Sequence, residues 1–404
     1  MSDTALRDQV DGFYNDTVAL RRRIHRQPEL GNDLPRTREA VLEAIDDLPL
    51  YVTLHETTSG ISCLLDGDAP GPTILLRADM DALPLHEDTG LEFSSDDDGT
   101  MHACGHDTHT AMLVAAARVL SERRGELAGR VLFMFQPGEE GHHGAKFMLD
   151  EGLLTLPPRA DGSASPVAAA FALHITSALP SGYFATRPGP VMASADRLLI
   201  TLTGKGGHAS EPHRAIDPIP VACEIVQALQ TMVTRSIDVF DPGVVTVGRI
   251  TAGTTNNIIP ETAEIEGTIR AVSETTRRKI HDGVRRVVDG VAAAHGVSGI
   301  AEIEAGYGVT VNDDGVAERS SRIVTDLVGS ERVVRLANPV MGAEDFSYVL
   351  DEVPGTMMFL GGTPSSRHLA TAPPNHSNRV MFDEAAMRDG VAAYAAFALD
   401  HLTV

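Results

Sequence analysis

The chain is poor in cysteine and lysine, and it has no long apolar run. Its 404 residues include three cysteines, Cys63, Cys104 and Cys223. Three cannot all pair within one chain, which argues against a disulfide scaffold and for a reducing compartment. No apolar run approaches the roughly 18 residues needed to span a bilayer, so no membrane helix is expected. The opening stretch, MSDTALRDQVDGFYND, is acidic and lacks an apolar centre. It does not read as a signal peptide, and the expected location is the cytoplasm. Basic residues are outnumbered, 33 against 56 acidic, and only Lys146, Lys205 and Lys279 are lysine. The net charge of −23 repels phosphate backbones and argues against a nucleic-acid partner. No internal repeat or low-complexity tract is evident.

What is present suits a large enzyme. Hydrophobic residues make up 43% of the chain, enough for a sizeable core. The length exceeds the roughly 250–300 residues at which a single core stops growing, so two domains are expected. Residues 4–27 and 37–48 have helical periodicity, and apolar strands follow at 61–65 and 73–76. A helix at 107–123, a strand at 131–135, a helix near 143–151 and a strand at 167–173 continue the pattern. This alternation predicts an α/β layer with a mainly parallel sheet. Residues 155–166 read as a loop insertion. After about residue 192 the order changes to strand 198–204, helix 216–235, strands 244–253 and 262–272, helix 274–295 and strand 299–305. That is a β-α-β-β-α-β, ferredoxin-like order. The α/β pattern resumes near residue 310 and closes with a helix at 383–402. The reading is therefore a small domain, 193–307, inserted between the two parts, 1–192 and 308–404, of a larger one.

Chemistry collects where strands are predicted to end, the usual place for ligands in open α/β sheets. Residues 102–109 read HACGHDTH, and 136–141 read QPGEEG. Cys, His and carboxylate are the ligands that borderline-soft divalent metals choose. Asp79 and Asp81 follow the strand TILLR, Glu139 and Glu140 follow VLFMF, and His174 follows VAAAFAL. His376 lies in the loop APPNHSN. A lone cysteine is usually a small buried hydrophobe, but Cys104 stands among three histidines. His106 is two residues away, and an extended loop can aim both at one centre. His109 falls in the first helical turn, where a role as ligand and a role in support or packing explain it equally well. Adjacent acids are usually a solvated pair, whereas Glu139 and Glu140 follow a buried strand through Pro-Gly. His142 and His143 read as exposed loop residues. The inserted domain offers His208 in GKGGHASEP, Asn257 in TTNNIIP and Arg270 at the end of GTIR. Taken together they suit a carbonyl oxygen and a carboxylate.

The segments RRRIHRQPELG, LLRADMDALP, MHACGHDTHTAML, FQPGEEG, GKGGHASEPH, NNIIPETAEIEGTIR, MGAEDFSYVL and PPNHSN run in order along nearly the whole chain. Together they resemble the metal-dependent N-acyl-amino-acid amidohydrolases. That group contains hippurate hydrolase, aminoacylase-like enzymes and auxin-conjugate hydrolases. The resemblance implies a catalytic domain holding two divalent ions (Zn, Mn, Co or Ni) and a ferredoxin-like lid that dimerises. Carried over by position, it implies Cys104, His106, Glu140, His174 and His376 as metal ligands, with Cys104 as a bridging thiolate. It implies Glu139 as general base and Asp81 as an orienting residue behind the ligands. It implies His208 as a catalytic group acting on the partner subunit's site, and the amide of Asn257 and the guanidinium of Arg270 are read from their chemistry as holding the amino-acid end of the substrate. The chain departs from the pattern at HITSALP after His174, at the insertion 155–166 and at His142-His143. These departures lie near the expected pocket rim and bear on the acyl group accepted. Two other readings stand beside this one. Cys104 could be a metal-free thiolate nucleophile, which leaves the two glutamates unused. The chain could instead bind a metal or an amino acid without turnover, which leaves the base glutamate unexplained.

Overall fold

The structure is a computed structural model and describes residues 3–403. Residues cluster into two units, Met1–Gly189 with Val311–Ala337 and Tyr348–Val404, and Pro190–Thr310 with Asn338–Ser347.

The first unit is built on an eight-stranded sheet. Its order is Tyr51–Leu54, Ile61–Asp66, Ala128–Gln136, Ala69–Asp79, Val167–Pro180, Gly355–Thr363, Phe184–Thr186 and Val333–Arg335. The four central strands are parallel to one another, and antiparallel pairings fall towards the two sides. The mainly parallel sheet expected from the sequence is thus present. Two alanine-rich helices, His106–Glu122 and Ala386–Leu402, are buried on most of their surface. Small side chains let them pack closely on the sheet and on each other. The helix Asp3–Arg26 joins the same core through Leu6 and Val10. Parallel pairing sends the C-terminal ends of Ala69–Asp79, Ala128–Gln136 and Val167–Pro180 to one edge, where Asp79 stands in register with Gln136.

The second unit holds a four-stranded antiparallel sheet. Its order is Gly243–Ala252, Thr262–Ala271, Asp196–Thr203, Ser298–Ala305. The helices Pro218–Ser236 and Glu274–Ala294 supply the apolar residues that cover it, among them Ile225, Leu229, Ile280 and Val284. Each helix starts at a side-chain cap, Asp217 accepting from the Ile219 N–H and Ser273 from that of Thr276. The chain order is β-α-β-β-α-β, as read from the sequence. No helix among the described residues is long and apolar enough to cross a membrane.

Candidate metal centre

The turn before the helix His106–Glu122 is made possible by Gly105. Its φ is +97°, and an added Cβ would lie 2.4 Å from Ile175 Cγ2. This turn leaves Cys104 buried and puts His106 at the first helical position. A second left-handed glycine, Gly138, swings Glu139 and Glu140 back from the end of strand Ala128–Gln136. The Asp81 carboxylate then accepts both of their backbone N–H groups, at 2.9 Å from Glu139 and 3.0 Å from Glu140. The Asp81 carbonyl accepts from His106 Nδ1 at 2.8 Å. One aspartate therefore orients a histidine and two glutamates together.

The side chains converge. Cys104 Sγ lies 3.4 Å from His174 Nε2 and 3.3 Å from His376 Nε2. His376 Nε2 also lies 3.2 Å from Glu140 Oε1. Among the groups of potential ligands, two share Cys104, namely Cys104–His106–His174 and Cys104–Glu140–His376, and a third joins His106 to Glu139 and Glu140. Glu139, 5% exposed, stands beside them with Oε2 4.0 Å from His106 Nε2.

The residues fit a pair of divalent ions. His174 donates Nδ1–H to the Ile175 carbonyl at 2.7 Å, and His106 donates Nδ1–H to Asp81. Both imidazoles thus turn an Nε2 lone pair towards the cluster. His106 Nε2 is buried and has no hydrogen-bond partner. Its neighbouring oxygens, Asp79 Oδ2 at 3.5 Å and Glu139 Oε2 at 4.0 Å, make no hydrogen bond with it, and a buried imidazole nitrogen left in this way can take a metal. Burial holds His174 at a pKa of about 3, so it stays neutral and able to ligate. Burial also pushes the Cys104 thiol up. Hydrogen bonds to Cys104 and Glu140 raise His376 to about 10. The cluster attracts positive charge, and metal binding there displaces protons. Replacing Cys104 by Ser is expected to lower the metal retained after dialysis, because a hydroxyl is a harder and poorer ligand than a thiolate. Undiminished stoichiometry by elemental analysis would show that Cys104 does not coordinate.

The supports extend inward. His109 accepts the Ile175 N–H at Nε2, 2.7 Å, and its Nδ1 faces Asp79 at 2.5 Å. Asp79 in turn accepts from the buried Arg77 at 2.7 Å. His109 therefore supports the segment next to His174, and its nitrogens are committed to that task. Asp107, also in the CGHD stretch, accepts from Arg21 at 2.7 Å and pairs with His25 at 2.9 Å. Burial alone would raise the Asp107 carboxyl, but Arg21 and then His25 outweigh it and hold it far below the carboxylate range. The motif RRRIHRQPELG thus secures the helix start from behind. His142 is exposed as expected. His143 is half-buried, takes a left-handed φ of 57° and contacts the Tyr348 hydroxyl at 2.9 Å.

In the second unit His208 and Asn257 lie together. Strand Gly207–His208 pairs with Ile258–Ile259, and the Ala209 N–H donates to the Asn257 carbonyl at 3.1 Å. His208 Nδ1 accepts the Ser210 N–H at 3.1 Å, which leaves Nε2 to carry the proton of the neutral ring. Arg270 is not part of this group. It lies at the other end of strand Thr262–Ala271, eight residues from Thr262, or about 26 Å at the strand rise. Its guanidinium is half-buried, and the charge of Asp196 acts on it against the effect of burial.

The chain is similar to known proteins over nearly its whole length. Over 97% of its length the chain is 38% identical to thermostable carboxypeptidase 1 of Saccharolobus solfataricus, 98% of which is covered. It is 37% identical to N-acetylcysteine deacetylase of Bacillus subtilis, over 89% of this chain and 92% of that one. A crystal structure of a Bacillus subtilis protein, described as a dinuclear metal-binding peptidase of the M20 family, superposes with a TM-score of 0.81 at 32% identity. That match covers 98% of this chain and all of the other. The resemblance carried by the motifs is borne out at the level of family. Residues 75–400 match Peptidase family M20/M25/M40, and the chain belongs to that family.

Proposed function

We propose that this chain hydrolyses the amide bond of N-acyl amino acids, using two divalent ions, and releases an amino acid and a carboxylic acid. The observation that carries the reading is the pair of ligand groups sharing Cys104, with Glu139 buried beside them. Cys104, His106, Glu140, His174 and His376 would hold the ions. When bound, such ions supply Lewis acidity and bring the pKa of a water towards neutrality. Glu139 takes the proton of the attacking water and returns it to the leaving amine. Its backbone is fixed by Asp81, so the carboxylate is positioned in advance. His208 offers an Nε2–H donor to the oxyanion, and Asn257 stands beside it. Arg270, with its half-buried guanidinium, is suited to the substrate carboxylate. A binding module without turnover would have no use for a buried carboxylate at the position of Glu139.

The separation within the second unit supports action in trans. Arg270 and the His208–Asn257 pair of one chain stand at opposite ends of a strand, too far apart to grip one small substrate. We assign His208 to the partner's site, in a homodimer formed through the inserted domain, residues 193–307. We assign the protein to the cytoplasm, because its three cysteines are free and a ligand thiol must stay reduced. The test is a screen of metal-reconstituted enzyme against N-acetyl, N-benzoyl and indole-acyl amino acids. Release of the free amino acid from at least one series is expected. No release from any of them, with two ions bound, would remove this substrate class.

A further inference from the structure

The residue before His376 is tied to two other segments at once, the turn at Cys104 and the strand that carries His174. Asn375 Nδ2 donates to the Cys104 carbonyl at 3.1 Å and to the Ile175 carbonyl at 3.0 Å. Asn375 Oδ1 accepts the Ser177 N–H at 2.9 Å and lies 3.2 Å from the Ser177 hydroxyl. The amide orientation is fixed by its partners, since the Ser177 N–H can only donate and the two carbonyls can only accept. Cys104 is one of these anchor points. Ile175 is another, and its carbonyl also receives the His174 Nδ1–H. The next residue along, His376, adopts a φ of +67°, and its own N–H donates to the Ala103 carbonyl at 2.9 Å. A left-handed backbone is uncommon for a residue with a Cβ. It persists where the surroundings over-determine it.

We propose that Asn375 is the positioning residue of the metal centre: its carboxamide locks the Cys104 loop, the end of the His174 strand and the His376 loop into one geometry. The inference rests on the assignment of Cys104, His174 and His376 as ligands. Asn375 itself coordinates nothing. Its amide fixes the backbone from which three ligands project, and it sets the left-handed turn that brings His376 Nε2 to Cys104 and Glu140.

The experiment compares Asn375→Asp, Asn375→Leu and His376→Ala with the wild type, using Co²⁺ as the probe. Asn375→Asp keeps the acceptor for Ser177 but sets a carboxylate oxygen against the two carbonyls. Affinity is read by chelator competition, geometry by the visible spectrum of the Co²⁺-loaded protein, and fold by the melting temperature of the metal-free protein. Both Asn375 variants are expected to bind at least one Co²⁺ on the order of 10–100-fold more weakly. Their visible bands should change, and any fall in metal-free melting should be small beside the loss of affinity. Unchanged affinity and spectrum would overturn the inference. So would weakening matched by an equal fall in metal-free melting, which would make Asn375 a support of the fold alone. If His376→Ala loses an ion while both Asn375 variants keep theirs, the ligand assignment stands and only this inference falls. If His376→Ala also binds both ions normally, the ligand assignment fails first.

Discussion

Replacing Glu139 by Gln is expected to leave both ions bound and to cut turnover by about 10²–10⁴-fold, the usual worth of a general base. Glutamine is close to isosteric. Backbone groups help to aim residue 139, its N–H on the Asp81 carboxylate and the left-handed Gly138 before it. Neither depends on the side chain's charge. The five residues proposed as ligands do not include Glu139, so metal content should persist. Elemental analysis and steady-state rates on one preparation read both quantities. Near-normal turnover with full metal would remove Glu139 from the mechanism, whereas loss of metal would make it a ligand.

His208→Ala is expected to lower kcat by about 10²–10³-fold, the cost of losing one oxyanion donor. Metal content should not change, because none of the potential ligand groups contains His208. The assignment in trans makes a sharper forecast. Two inactive proteins, His208→Ala and Glu139→Gln, are mixed under conditions that exchange subunits. A mixed dimer would contain one site with an intact Glu139 from one chain and an intact His208 from the other. Partial recovery of activity is expected. Confirmed exchange without recovery would contradict the trans assignment.

The architecture was legible because its signals are periodic and local. The strands ending at Asp79 and Gln136 are apolar runs followed closely by ligand-type residues, and parallel pairing brings those ends to one edge, whereas the strand expected to stop before His174 runs through it to Pro180 beside Gly355–Thr363. The central strand Gly355–Thr363 was not singled out. All nine of its residues are buried, so no alternation marks it, and Gly361-Gly362 reads as a break. The ligand candidates stood out because Cys, His and Glu side chains carry the chemistry. Asn375 did not, since its partners are the backbone atoms of Cys104, Ile175 and Ser177, which leave no mark in the sequence. Asp81 was recognised as an orienting residue, but its use of the Glu139 and Glu140 backbones needed the three-dimensional turn. Arg270 was read as one group with His208 and Asn257. Strand length separates them, a distance that residue types alone do not convey.

The most direct measurement of the central claim begins with the purified dialysed protein, stripped by a chelator and then titrated with a single divalent metal. Hydrolysis of an N-acyl amino acid is followed by release of the free amino acid. The account predicts no turnover in the stripped protein and recovery that saturates at two ions per chain. Hydrolysis that survives complete removal of metal would contradict it, and would return Cys104 to consideration as a nucleophile.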